Sequence, residues 1–361
     1  MARIDFRKAF SGEVHRASFG VATGSRFAAA GTGQPLWRKL LRAPFSLIRR
    51  FFVGGLHTRL DDVQARIATM NDAIRELQGL MGDRLHQLDI KIRGPHHYDE
   101  NTDAVRLNDG YVLVPKAAKK LRILLADAPA DGLEPGTCQV IRKILAQGMT
   151  AIDIGANVGA LTIACARAVG PTGKVYAFEP EPAFASLLNE TFDLNGISWV
   201  KLQQLAVSRS NGHATFHISP IGGHSSLYSL PFEESAQQVN IEVETRRLDD
   251  AIPPGGSVDL VKMDVEGAEL DVLDGMPQII RANPELAIIA EFGSSHLAKQ
   301  GLTSDIWVER FLSLGFNMFA IDEMTGRCEP ASADSLRGRD SVNVAMTRFG
   351  TRVHRLLVES A

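Results

Sequence analysis

The stretch AIDIGANVGAL, residues 151–161, decides the fold. An apolar run carries an acid, Asp153, at its tip, and glycines follow two and six residues later, at Gly155 and Gly159, with Asn157 between them. MTAIDI (149–154) has the length and apolar content of a buried strand, and VGALTIACARAVG (158–170) reads as a helix, so the glycines occupy a strand-to-helix turn. Gly155 lets the backbone turn and approach a ligand, and Gly159 lets the next helix pack closely. In open sheets of this kind ligands bind beyond the carboxyl ends of the strands. The loop is not the GxGxxG of nucleotide dehydrogenases, because Asn157 stands where a glycine would let the backbone meet a pyrophosphate. No GxxxxGK[ST] run exists, which excludes a phosphate loop.

Outward from this turn the chain alternates strands and helices. GYVLVP (110–115), KVYAFEP (174–180), WVKLQQLAVS (199–208), DLVKMDV (259–265), ELAIIAEF (285–292), FNMFAID (316–322) and DSVNVAMTR (340–348) read as strands. EPGTCQVIRKILAQG (134–148) and EPAFASLLNETFDLNG (181–196) read as helices, each with a proline in its first turn. Repeated strand–helix units predict an α/β, Rossmann-like doubly wound sheet, largely parallel, with helices on both faces.

The strand after the glycine loop ends in Glu179, where an acid can accept the ribose hydroxyls of a nucleoside. Asp153 and Glu179, one strand–helix–strand unit apart, suit a nucleoside that lacks phosphates and carries positive charge near the loop. S-adenosylmethionine has that chemistry.

AIDIGANVGALTIACA, VYAFEPEP and VDLVKMDVEGAELDVLDGM resemble the class I S-adenosylmethionine-dependent methyltransferases of the FkbM family over roughly residues 104–348. The resemblance implies seven strands with the last antiparallel, and transfer of methyl groups to hydroxyls of sugars or secondary metabolites. It implies a cofactor loop at Asp153, Gly155, Asn157 and Gly159, and a ribose ligand at Glu179. It puts the adenine near Ala206 and Val207, the methionine end near Asp264, and a further acid at Glu134.

Transfer to an alcohol benefits from a base that takes the proton as the new bond forms. Asp264 and Glu266 in KMDVEGAE, Glu291 in AEFGSSH, His296 and His224 are the candidates. Glu269 suits the first turn of the following helix instead. His224 lies in a Gly/Ser-rich stretch with Ser226 that could cover the acceptor. The carboxylate spacing is no known metal signature, so no metal is expected. The absence of an NPPY-like run after the fourth strand disfavours aromatic amines as acceptors.

The first hundred residues follow other rules. Residues 1–35 are rich in Gly, Ala, Ser and Arg and read as a mobile segment. In 36–53 large apolar residues alternate with Arg38, Lys39, Arg42, Arg49 and Arg50, a pattern that fits either a short helix packed on a partner or on the protein's own body, or a segment that lies on an anionic membrane surface. From Leu56 to Met81 apolar residues recur at alternating spacings of four and three, and Leu85, Leu88 and Ile92 resume the seam after a stutter. So narrow a stripe predicts a coiled coil and a homo-oligomer through 56–92, which completes a 36–95 extension ahead of a 104–361 catalytic domain.

The net charge of −3 disfavours general nucleic-acid binding. Three scattered cysteines form no CxxC pair and fit reduced thiols in the cytoplasm. MARIDFRKAF lacks the apolar core of a signal peptide, and no stretch of about 18 apolar residues exists. The expectation is a cytoplasmic enzyme at the inner face of the membrane that acts on a glycan or small-molecule acceptor. The rival expectations are a coiled-coil scaffold with a non-catalytic nucleoside-binding domain and, more weakly, a nicotinamide dehydrogenase.

Overall fold

The computed structural model describes residues 62–81, 94–218, 225–228 and 239–359. The chain divides into two compact units, Met1–Leu80 and Met81–Ala361. Residues 62–81 form a helix on which Val63, Ile67, Met70, Ile74, Leu77 and Met81 are all exposed. The expected seam therefore faces solvent in the single chain. The rest of the predicted coiled coil and the basic segment 36–53 lie outside the described residues.

The second unit is built on an eight-stranded sheet. Its members are β4 (Thr150–Ile154), β5 (Lys174–Phe178), β6 (Val200–Gln203), β10 (Leu260–Met263), β11 (Ala287–Phe292), β12 (Phe316–Ile321), β13 (Cys328–Pro330) and β14 (Val342–Arg348), in the order β13-β12-β14-β11-β10-β4-β5-β6. β6, β5, β4, β10 and β11 run parallel. β14 is antiparallel to both its neighbours, β11 and β12, as the resemblance implied for the last strand. The sheet exceeds the expected seven strands because the three-residue β13 extends its edge.

Side chains alternate across the strands and divide the core in two. Ala151, Val175, Leu260, Ile289 and Ala345 face one layer with the helices Pro135–Ile144, Ala160–Val169 and Pro182–Leu194. Ile152, Phe178, Val261, Ile288 and Val344 face the other, with the helices Glu269–Asp274, Pro277–Ala282 and Ser304–Ser313. Helices thus cover both faces, as a sheet of buried parallel strands requires.

Two expected strands fall elsewhere. GYVLVP becomes β3 (Tyr111–Pro115) of a separate antiparallel sheet with β1 (His96–His97) and β2 (Thr102–Arg106). It docks on the helix Pro182–Leu194, where the Leu113 N–H donates to the Thr191 hydroxyl, so the strand is held by a helix face rather than by the central sheet. WVKLQQLAVS breaks after Gln203: its second half is β7 (Ala206–Val207), which pairs with β9 (Val239–Arg246) beside β8 (Gly212–Ile218). Among the described residues no helix is long and apolar enough to cross a membrane.

Candidate active site

The strand ends β4, β5 and β10 open into a cleft of about 600 Å³. Gly155, Asn157, Glu179, Glu181, Ala206, Val207, Asp264 and Glu266 line it, together with Phe184, Phe216 and Leu227. A second, larger cleft of about 1260 Å³ adjoins it and shares Asn157, Asp264 and Glu266. Glu134, Glu291, Arg339 and Asn343 stand on its walls. The structure therefore brings together most of the residues singled out in the sequence.

The loop after β4 is tightly constrained. Gly155 has φ +80°, and a Cβ there would lie 1.9 Å from the Asp264 carbonyl oxygen. Gly159 has φ +88°, and its missing Cβ makes room for Leu188 on the neighbouring helix. Asn157 also adopts a left-handed conformation, φ 51°, which asparagine tolerates better than most residues. Its N–H donates to Glu179 at 2.8 Å, while its side-chain Oδ1 is buried without a hydrogen-bond partner.

Glu179 is buried and accepts the N–H groups of Asn157 and Glu181. Burial pushes its carboxyl up to about 7 against the pull of those two donors. Each oxygen keeps a lone pair for a further donor from the cleft. Ala206 and Val207 form part of the wall beyond it.

Asp153 lies differently from the expectation. It is fully buried, lines neither cleft, and takes the Thr162 hydroxyl on one oxygen. Its other oxygen stands 3.6 Å from the ammonium of Lys262. The side chain points back under the loop, since alternate residues of β4 face opposite layers, and it supports the turn from behind.

Lys262 is the functional residue that sequence reasoning missed. It sits in the middle of an apolar strand, 3% exposed, between Asp153 and Asp264, the latter at 3.5 Å. Its neighbouring carboxylates raise its pKa despite burial, so it is a fixed cation. The signal was there in LVKM: a lysine in a strand with no solvent face demands partners.

Asp264, Glu266 and Glu291 converge, with carboxylate oxygens within 4.8 Å of one another. Burial and the charge of Asp264 push Glu291 up to about 10, and the Ser341 hydroxyl donates to it. Glu134 is the N-cap residue of the helix Pro135–Ile144, and its side chain makes no cap hydrogen bond. It accepts the Asn343 amide at 2.8 Å, and burial raises it to about 7. Glu266 has φ 52°, and its carboxylate lies 3.2 Å from His296 Nδ1. Backbone strain of this kind in a non-glycine residue costs about 1–3 kcal/mol and gathers at functional sites. Glu269 accepts the Gly267 N–H at the start of the helix Glu269–Asp274, in accord with its reading as a helix-start residue.

His224 falls outside the described residues. Of its stretch, Ser225–Tyr228 is described and forms a strap. Ser225 donates to Glu181, Ser226 donates to the Glu266 carbonyl, and the Tyr228 hydroxyl donates to Asp271. Glu181 and Ser225 were not foreseen, because their contact joins segments far apart in the chain.

Residues 153–318 match the family model described as Methyltransferase FkbM domain. Three curated relatives are similar. "Methyltransferase 1" of Beauveria bassiana is 31% identical, over 35% of this chain and 57% of that protein. "Methyltransferase sdnD" of Sordaria araneosa is 32% identical, over 35% and 60%. "2-O-methyltransferase NoeI" of Sinorhizobium fredii is 32% identical, over 34% and 56%. The matches span less than two thirds of the length of each relative.

Proposed function

We propose, from the match of residues 153–318 to the methyltransferase FkbM family model, that this chain is an S-adenosylmethionine-dependent O-methyltransferase. The acceptor is a hydroxyl of a glycan or a small secondary metabolite. One observation carries the reading: Glu179 and Asp264 flank Asn157 in a single cleft, one at each side of the glycine loop. The residues fit the cofactor. Glu179 takes the ribose hydroxyls, Ala206, Val207, Phe184 and Leu227 enclose the base, and Asp264 with Asn157 meets the methionine end. The unpartnered Asn157 Oδ1 is an acceptor that awaits a donor from the ligand.

The cofactor supplies a methyl group already activated on a sulfonium, so the chain's task is alignment and proton removal. In the transfer a C–S bond breaks, a C–O bond forms, and the hydroxyl proton passes to the enzyme. Glu266 is the acceptor of that proton. It lines both clefts beside the methionine end, whereas Asp264, which does the same, is held by the Lys262 ammonium, and Glu291 keeps its proton at neutral pH. His296 positions the Glu266 carboxylate from behind through its Nδ1. The 2-O-methyltransferase name of one relative supports an oxygen acceptor. The exposed seam of the helix 62–81 and the basic pattern of 36–53 support a homo-oligomer at the cytoplasmic face of a membrane, built from an extension (36–95) and a catalytic domain (104–361).

Calorimetric titration of S-adenosylmethionine, S-adenosylhomocysteine and NAD into the wild type and Glu179→Ala tests the assignment. Binding of a sulfur nucleoside, lost in the variant, sustains it. Binding of NAD alone, or of nothing, removes it.

A further inference from the structure

Five carboxyl groups gather around one ammonium at and beneath the floor of these clefts. Asp153 and Asp264 flank Lys262 directly, and Glu134, Glu266 and Glu291 complete the ring of charge around Asp264. Among the described residues Arg339 is the one Lys or Arg that lines the larger cleft. Three neutral donors, from Thr162, Asn343 and Ser341, ease the crowding, and so does the His296 contact with Glu266. Even with Glu291 neutral and Glu134 only partly charged, Asp153, Asp264 and Glu266 face a single ammonium, so the floor keeps a surplus of negative charge. Burial of like charges is costly, and a cationic ligand relieves it.

We propose that this wall distinguishes the methyl donor from the spent cofactor by charge: Glu134, Asp264 and Glu266 favour the cationic S-adenosylmethionine over S-adenosylhomocysteine, whose sulfur is uncharged. The proposal rests on the cofactor reading above. Donor and product differ by one methyl and one positive charge, and the methyl alone adds little contact area. One unit of charge facing a net negative wall in a half-buried site changes an equilibrium constant by roughly tenfold or more. Transfer then weakens the enzyme's hold on the spent cofactor at the moment the proton arrives on Glu266. Release follows from the chemistry itself.

The test is calorimetry on the full chain at low salt, with S-adenosylmethionine and S-adenosylhomocysteine as probes. The wild type should bind the donor about tenfold more tightly. Asp264→Asn and Glu134→Gln should each narrow the ratio to within about threefold, chiefly by weakening the donor, with melting curves to show that both variants fold. Equal or tighter binding of S-adenosylhomocysteine by the wild type overturns the proposal, as does an equal loss of both ligands in both variants. It is also overturned if Mg2+ alone binds at micromolar concentration and erases the ratio, for then the wall serves a metal. If neither nucleoside binds the wild type, the cofactor reading itself has failed. If both bind and only the ratio is wrong, that reading survives and the charge argument does not.

Discussion

Replacement of Lys262 by methionine keeps the aliphatic stem in the sheet and deletes the ammonium. Two carboxylates then lose their cation. Asp153, fully buried, keeps only the Thr162 hydroxyl, and its other oxygen faces no donor. Asp264 keeps the neighbouring Glu266 and Glu291 and loses the charge that offset them. Removal of one partner from a buried ion pair costs about 3–5 kcal/mol, mostly from the charge left behind. In a unit of this size each kcal/mol lowers the melting temperature by about 2–4 °C, so Lys262→Met should melt about 6–20 °C lower at pH 7. Two features separate this account from simple loss of packing. The orphaned carboxyls hold protons more tightly when folded than when unfolded, so the deficit should shrink as the pH falls from 7 to 5. Addition of Asp153→Asn to Lys262→Met should also restore at least 1 kcal/mol, because the uncompensated charge is then gone. Denaturant melts of the four proteins of this cycle at both pH values provide the measurement. Strictly additive losses with no pH dependence would refute the reasoning.

Gly155→Ala places a methyl 1.9 Å from the Asp264 carbonyl at φ +80°. It should cost more than 2 kcal/mol and abolish calorimetric binding of S-adenosylmethionine, and retention of both would sink the loop assignment. Glu269 is buried with its carboxyl raised to about 7, so it contributes stability at low pH that disappears as the pH rises from its unfolded value of 4.5 through 7. Glu269→Gln should flatten that fall by about 3 kcal/mol in urea melts at pH 4.5 and 7.5, and an unchanged slope would mean the burial is wrongly drawn. Deletion of residues 1–95 should leave nucleoside binding intact and reduce the mass in light scattering to that of one chain; an unchanged oligomer would remove the coiled coil.

The sequence showed the centre of this molecule more clearly than its edges. β4, β5, β10 and β11 are short apolar runs with turn residues at their ends, and buried parallel strands have no polar face to confuse the pattern. The acids that end these runs, Glu179 and Asp264, were legible for the same reason. β8 and β9 were not, since GHATFHI and VNIEVETR are half exposed and carry polar residues on both faces. β13 is three residues long and owes its existence to pairing with β12. Lys262 was overlooked because its partner Asp153 lies on another strand and the ion pair exists only once β4 and β10 are adjacent. Asp153 was misplaced by reading a strand tip as a cleft wall, although its neighbours in AIDI already assign it to the opposite layer from Ile152 and Ile154.

Register explains why the acids meet at all. Ile154 pairs with Phe178 on one side and with Met263 on the other, so all three strands end at one level of the sheet. The next residue on each is therefore also level: Gly155, Glu179 and Asp264. β4 is the point at which the strand order reverses, with β5 and β6 to one side and β10 and β11 to the other, and the loops that leave it part to form a crevice. Two side chains from the flanking strands reach into that crevice, and the middle position must give way. Only glycine does so, because the Asp264 carbonyl occupies the place of its Cβ. The backbone of the loop then passes low enough for the Asn157 N–H to fix the Glu179 carboxylate. A level register, one absent Cβ and two acids are thus a single arrangement, and disturbance of any one of them displaces the other two.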